Sequence, residues 1–145
     1  MTIQVRSPSS KKEFEEYYDL RFRILREPWN QARGSEKDDL EEQSIHLMVT
    51  ENGAPLSIGR AHLNTQKEAQ IRYMVTHPEY QGKGFGSLVL KELERRVKEQ
   101  GAECIILNSR ESAIPFYEKH GFKIIGEAPT MFQVVKHKKM RKDLK

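Results

Sequence analysis

The spacing of apolar residues changes along this chain and predicts both helices and strands. An i, i+3/i+4 stripe from Phe14 to Leu25 predicts an amphipathic helix that starts near residue 11. A second stripe from Val89 to Val97 predicts a helix over residues 86–100, and Gly101 is suited to cap its end. The two stripes indicate two helices that each bury one face.

Shorter apolar segments indicate β-strands. We expect strands at residues 3–5, 45–50, 56–63, 68–75, 103–108, 122–127 and 132–140. The Asn-Gly pair at residues 52–53 favours a tight turn, so the second to fourth strands are expected to form an antiparallel meander. A further short helix is expected over residues 113–120. This order of elements predicts an α/β or α+β fold with a single sheet.

Length and composition favour one globular domain over residues 1–145. Hydrophobic residues make up 37% and charged residues 32% of the chain, which is typical of a solvated globular protein. No apolar run approaches the roughly 18 residues of a membrane span, and the chain starts without a secretory signal. The single cysteine, Cys104, excludes an internal disulfide. We therefore expect no membrane partner and a cytoplasmic location.

The formal net charge of +4 is concentrated at one end of the chain. Residues 136–145 contain six Lys or Arg residues and one Asp, so the remainder carries a net charge of −1. No aromatic residues alternate with these basic residues to stack on bases. We therefore expect a solvated basic end and no nucleic-acid partner.

A glycine-rich segment between the meander and the second helix predicts an anion-binding loop. Gly82, Gly84 and Gly86 allow tight turns and leave backbone N–H groups free beside the positive end of the helix dipole. The lysine comes too early for a Walker loop, and the glycine spacing differs from the dinucleotide fingerprint. The segment therefore predicts a phosphate or pyrophosphate site, with a plain glycine-rich turn as the alternative.

Two segments of the chain resemble the GNAT superfamily, the acetyl-CoA-dependent N-acetyltransferases. Residues 75–87 read V-T-H-P-E-Y-Q-G-K-G-F-G-S and are similar to the family's pyrophosphate loop. Residues 113–122 read A-I-P-F-Y-E-K-H-G-F and are similar to its F-Y-E-K-x-G-F signature. The resemblance is sharp over residues 71–126. It implies a mostly antiparallel mixed sheet with a central, splayed parallel strand pair, flanked by helices.

The resemblance also implies an activity and roles for residues. The protein would transfer an acetyl group from acetyl-CoA directly to a primary amine of a small molecule or peptide, in a ternary complex. The N–H of Val75 would contact the thioester carbonyl, and Tyr117 would be the general acid for the leaving thiolate. The residues implied in cofactor binding are Tyr73, Met74, Val75, Gln81, Gly82, Lys83, Gly84, Phe85, Gly86, Ser87, Asn108 and Tyr117.

The sequence leaves the general base open. Strict alternation places Tyr73 and Ile71 on the same face as Val75, and neither residue is a base. Glu68 then lies on the opposite face unless a β-bulge shifts the register. The candidate bases are therefore Glu68, His46, His62 or a water molecule. Cys104 lies in an apolar strand, where we expect inert packing and not an acyl carrier.

The acceptor is not identified by the sequence. Its pocket would be formed by the first helix, residues 26–43 and the last strands. The acidic cluster at residues 36–42 could attract a cationic amine or could simply be solvated. A catalytically silent acyl-CoA sensor with the same fold is the alternative function, because no base is evident. No metal is expected, and the chain could form a homodimer.

Overall fold

The computed structural model describes residues 2–144, which form a seven-stranded sheet with helices on both faces. The strands are β1 (Ile3–Arg6), β2 (Ile45–Glu51), β3 (Ala54–Leu63), β4 (Glu68–Thr76), β5 (Cys104–Arg110), β6 (Lys123–Met131) and β7 (Val135–Asp143). The α-helices are α1 (Lys11–Leu25), α2 (Phe85–Glu99) and α3 (Ile114–Lys119). The strand order is β1-β2-β3-β4-β5-β7-β6. Only the central β4–β5 pair is parallel, which confirms the predicted mixed sheet.

Apolar side chains pack on both faces of the sheet. On one face, α2 buries the side chains of its apolar stripe against β2, β4 and β5. On the other face, Tyr17 and Leu20 of α1 pack against Met48, Ile58 and Val75. Each helix therefore buries the stripe that its sequence pattern predicts. None of the helices within residues 2–144 is long and apolar enough to cross a lipid bilayer.

The hairpin at the end of the chain differs from its predicted position. The strand expected at residues 132–140 begins only at Val135, because residues 132–134 form the turn after β6. Phe132 and Gln133 adopt left-handed backbone conformations, with φ of 51° and 65°. Phenylalanine and glutamine do not indicate such a turn in a sequence, since glycine or asparagine is usual at these positions. Phe132 instead stacks on Trp29, with ring centroids 6.1 Å apart, so a tertiary contact accompanies the turn.

Candidate active site

A β-bulge in β4 sets which side chains face the site. Ile58 pairs with Val75 and Arg60 pairs with Arg72, so two residues of β4 oppose Gly59 alone. Tyr73, the first of them, has a φ of 60°, which is uncommon for a residue other than glycine.

The bulge overturns the strict alternation expected for β4. Ile71 packs in the core on the α2 side, whereas Val75 packs with the residues of α1. The ring of Tyr73 lies under Arg21 and Arg60, which also belong to the α1 side. The expectation that Tyr73 and Val75 share a face with Ile71 is therefore wrong, because the extra residue reverses the alternation.

The central parallel strands separate and leave a cavity. β4 and β5 pair only from Glu68–Cys104 to Gln70–Ile106, and no pairing continues toward the carboxyl ends of the two strands. A cavity of ≈ 330 Å³ opens where they diverge. Four predicted site residues line it: Tyr73, Met74, Asn108 and Tyr117. Val75 lies one residue beyond the lining of β4, and the loop of residues 81–87 follows β4 toward α2.

Tyr117 projects from α3 into this cavity and is only 7% exposed. Its ring packs edge-on against Phe116 and Phe122, with centroid distances of 5.1 and 5.7 Å. Burial raises the pKa of the Tyr117 phenol, so the group keeps its proton at neutral pH. Within residues 2–144 no hydrogen bond engages its hydroxyl, which leaves the O–H able to serve a ligand.

The glycine loop presents the amino end of α2. Gly82 and Gly84 have φ of 79° and 86°, in the left-handed region that favours glycine. Gly84 caps α2 without any side-chain hydrogen bond, so the first N–H groups of the helix lack a side-chain acceptor. A Cβ on Gly86 would lie 3.3 Å from Thr76 Oγ1 and 3.5 Å from the Phe116 ring. The loop therefore combines free donors, a positive helix end and close packing, which suits an anion.

Two of the predicted bases lie outside the cavity lining. Glu68 is at the paired end of β4 and accepts a hydrogen bond from Asn64 Nδ2 at 3.1 Å. His62 accepts from Arg60 Nη2 at 3.1 Å through Nδ1, which leaves Nε2 to donate to Asn64 Oδ1 at 3.0 Å. Burial lowers the pKa of His62. Both ring nitrogens of His62 are therefore engaged within the fold.

His46 is also held by the fold. Its Nε2 lies 2.6 Å from the backbone carbonyl of Glu41, so this nitrogen donates, and Nδ1 receives the Tyr17 hydroxyl at 2.9 Å. Burial lowers the pKa of His46, which is consistent with a neutral ring. We interpret His46 as a structural residue whose hydrogen bonds link β2 to α1 and to the backbone at residue 41.

Two members of the acidic cluster, Asp38 and Glu41, point inward and pair with arginines. Asp38 receives Arg60 Nη1 at 2.6 Å and Arg72 Nη1 at 2.8 Å. Glu41 receives Arg60 Nη1 at 2.8 Å and Arg21 Nη1 at 3.0 Å. These two carboxylates therefore form neither a solvated loop nor an open site for a cationic amine, because arginines already compensate their charges.

Sequence reasoning missed His137, which β7 brings to the cavity opposite Arg110 of β5. Its Nδ1–H donates to the carbonyl of Val135 at 2.9 Å, which leaves the lone pair on Nε2. Burial, together with the nearby charge of Arg110, lowers the pKa of His137 and favours the neutral ring. His137 lies among lysines in the sequence, and no local motif there indicates a role in a site.

Known proteins match this chain in sequence. The family model described as "Acetyltransferase (GNAT) family" matches residues 14–122. An uncharacterized N-acetyltransferase of Bacillus subtilis (strain 168), YjcF, is 25% identical over 134 residues, covering 92% of this chain and 95% of YjcF. Another, YitI of the same strain, is 32% identical over 119 residues, covering 78% of this chain and 80% of YitI.

A solved structure matches the fold. The PaiA N-acetyltransferase from Thermoplasma acidophilum, in complex with coenzyme A, superimposes with a TM-score of 0.78. The match covers 99% of this chain and 100% of that one, at 19% identity. At this identity the likeness concerns the fold alone.

Proposed function

Given that this chain belongs to the GNAT acetyltransferase family and is an acyltransferase, we propose that it transfers the acetyl group of acetyl-CoA directly to a primary amine. Both substrates would be bound together in a ternary complex. The observation that carries the proposal is the gap between β4 and β5, with Tyr117 in its wall and the glycine loop beyond the end of β4.

The cofactor would lie along the unpaired part of β4. The backbone of Tyr73, Met74 and Val75 would bind the amide groups of pantetheine as an added strand does. The pyrophosphate would accept hydrogen bonds from the backbone of residues 81–87, where α2 has no side-chain cap. Asn108 lines the opposite wall on β5 and would contact the same arm.

The reaction forms a C–N bond and breaks the thioester C–S bond. The N–H of Val75 would stabilise the developing oxyanion. Tyr117 would donate its proton to the leaving thiolate, and its raised pKa keeps that proton available. The amine attacks only in its neutral form, so a base must accept one proton.

We propose His137 as this base, in place of Glu68, His46 and His62. The neutral ring holds its lone pair on Nε2, because Nδ1–H is committed to the carbonyl of Val135. His137 and Tyr117 line the same cavity, as an acid and a base for one reaction must. Glu68, His46 and His62 do not line it.

The first experiment is calorimetric titration with acetyl-CoA, with free CoA and ATP as controls. Saturable binding of both CoA species but not of ATP is expected. Tyr117→Phe should lower kcat with little change in acetyl-CoA affinity, since the phenol acts on the leaving group. Absence of CoA binding in the micromolar range would overturn the proposal. Binding without turnover on a broad amine panel would favour the silent sensor instead.

Several expectations from the sequence stay predictions. These are the single domain over residues 1–145, the cytoplasmic location, the absence of a nucleic-acid partner and the homodimer. Sedimentation velocity of the purified protein would test the homodimer directly. No cluster of metal-binding side chains occurs within the described part of the chain, residues 2–144.

A further inference from the structure

Three arginines and no acidic side chain line the cavity beside Tyr117. Arg26, Arg72 and Arg110 contribute to its lining, whereas no Asp or Glu side chain does. Asp38 and Glu41 are turned toward the buried Arg60 of β3. The open space therefore meets positive charge on several sides.

Arg26 is the cation whose surroundings are most unusual. The residue is 7% exposed and follows the last turn of α1. Its Nε donates to the carbonyl of Ser35 at 2.9 Å, and Nη1 donates to the carbonyl of Leu25 at 3.1 Å. Within residues 2–144 Arg26 makes no ion pair and its Nη2 makes no hydrogen bond, although the guanidinium borders the cavity.

The neighbouring charges do not neutralise Arg26. Arg72 is committed to Asp38, at 2.8 Å. Arg110 forms no ion pair among the described residues. Glu36 receives the N–H of Gly34 at 2.8 Å through Oε1 and forms no ion pair with Arg26. Burial lowers the pKa of Arg26, and the charge of Glu36 offsets only part of this effect. A buried charge without an ion-pair partner is costly, so its presence beside a cavity points to a ligand that completes the pair.

Aromatic rings hold the guanidinium in place. Its Cζ lies 5.4 Å from the centroid of the Phe132 ring and 5.7 Å from that of Tyr73. Trp29 stacks on Phe132 and also lines the cavity. Because Nε and one Nη1–H are bound to backbone carbonyls, the donors left for a ligand are on Nη2 and the rest of Nη1. These donors can engage an oxyanion in the planar way that carboxylates and phosphates favour.

We propose that the acceptor amine carries an anionic group, a carboxylate or a phosphate, and that Arg26 binds this group. This inference rests on the proposed acetyl transfer, since it identifies the class of acceptor for the same cavity. Arg110 adds positive charge from the β5 side, and the rings of Trp29 and Phe132 offer an apolar wall for the carbon chain. The amine end of the acceptor would then face Tyr117 and His137.

Matched acceptors test the proposal in the wild-type protein. The panel pairs 4-aminobutanoate with 4-aminobutanamide and 2-aminoethyl phosphate with ethanolamine, and it adds 1,4-diaminobutane as a dication. We expect kcat/KM for the anionic member to exceed that of its neutral partner by about ten-fold or more, the scale of a charge-assisted hydrogen bond. The carboxylate and phosphate pairs distinguish the two anions. Equal or higher kcat/KM for the neutral amines or the dication would overturn the proposal.

A variant connects the preference to Arg26. Arg26→Met should reduce the anionic preference to near one while leaving acetyl-CoA affinity unchanged. Arg23→Met is the matched control, because Arg23 is an exposed arginine of α1 outside the cavity. Loss of acetyl-CoA affinity in Arg26→Met, with acceptor preference retained, would assign Arg26 to the cofactor and refute the inference. If Arg26→Met does not fold, Arg26→Lys takes its place. Lysine keeps the charge without the planar fork and should retain part of the anionic preference.

A binding experiment separates this inference from the proposed function. Calorimetry with 4-acetamidobutanoate and 4-acetamidobutanamide probes the anion site without any catalysis. Tighter binding of the carboxylate, lost in Arg26→Met, supports the site even if acetyl-CoA does not bind and the proposed function fails. Equal binding of the two probes, or binding of neither, overturns the inference even if acetyl-CoA binds.

Discussion

Replacing Asp38 by asparagine should destabilise the protein strongly, because one carboxylate holds two arginines. Asp38 receives Arg60 through both oxygens, at 2.6 and 3.0 Å, and Arg72 at 2.8 Å. The Arg60 side chain is fully buried. An asparagine keeps the shape of the side chain but removes its charge and turns an N–H₂ group toward an arginine donor.

The size of the effect follows from burial. Removing one partner of a buried ion pair costs about 3–5 kcal/mol, and a hydrogen bond to a charged group contributes about 1.5–3 kcal/mol. Arg60 keeps Glu41 at 2.8 Å, and the Asp38 side chain is 23% exposed, so the loss should be below the upper limit. We expect a decrease of about 2–4 kcal/mol in the free energy of unfolding. With an m-value of about 2 kcal/mol/M, the urea midpoint should fall by about 1–2 M.

Urea unfolding of Asp38→Asn is best compared with Asp39→Asn, which makes the same change of charge at an exposed neighbour. Burial by itself would raise the pKa of Asp38, but the hydrogen bonds from Arg60 hold it below its ordinary range. The stabilisation is therefore complete above the unfolded pKa of about 3.9 and is lost as the pH falls through the folded value. The difference between wild type and variant should shrink below about pH 4. Equal urea midpoints for the two variants at neutral pH would refute the reasoning.

Three other perturbations address the loop, the bulge and the base. Gly84→Asp should weaken acetyl-CoA binding in calorimetry more than Gly84→Asn does, because a Cβ there meets nothing within 4 Å and only the carboxylate repels a pyrophosphate. Gly59→Ala should lower the free energy of unfolding by about 1–3 kcal/mol in urea titrations, because its Cβ would lie within 2.4 Å of Met74 Sδ. His137→Ala should reduce kcat/KM and remove the acidic limb of the pH–rate profile, which in wild type should lie below about pH 6.5 because burial lowers the pKa of His137.

Each of these expectations has a contradicting result. Equal acetyl-CoA affinity of Gly84→Asp and Gly84→Asn would contradict the proposed binding of the pyrophosphate by the loop. An unchanged urea midpoint for Gly59→Ala would show that the side chains beside the bulge move aside without lowering the free energy of unfolding. An acidic limb that persists in His137→Ala, with kcat/KM unchanged, would indicate that a water molecule and not His137 is the base. Lys136→Ala, an exposed neighbour in β7, is the control for changes in that strand.

The predictions that came from the sequence alone concern features with local causes. The stripes of α1 and α2 could be predicted because helical periodicity links residues only three or four positions apart. The glycine loop and the segment around Tyr117 could be recognised because each is one continuous piece of chain. These features were sufficient for the family and the mixed sheet, both of which the comparisons and the strand order support.

The features that escaped sequence reasoning depend on residues far apart in the chain. The bulge at Tyr73 arises in the pairing of β4 with β3, where Gly59 leaves room for Met74, and a period of two residues cannot reveal it. The inward pairing of Asp38 and Glu41 depends on arginines in α1, β3 and β4. Arg26 and His137 meet at one cavity only because α1 and β7 flank the same splayed strands. Burial and charge compensation are properties of the assembled sheet, and so the proposed acceptor side of the site emerges only from the folded chain.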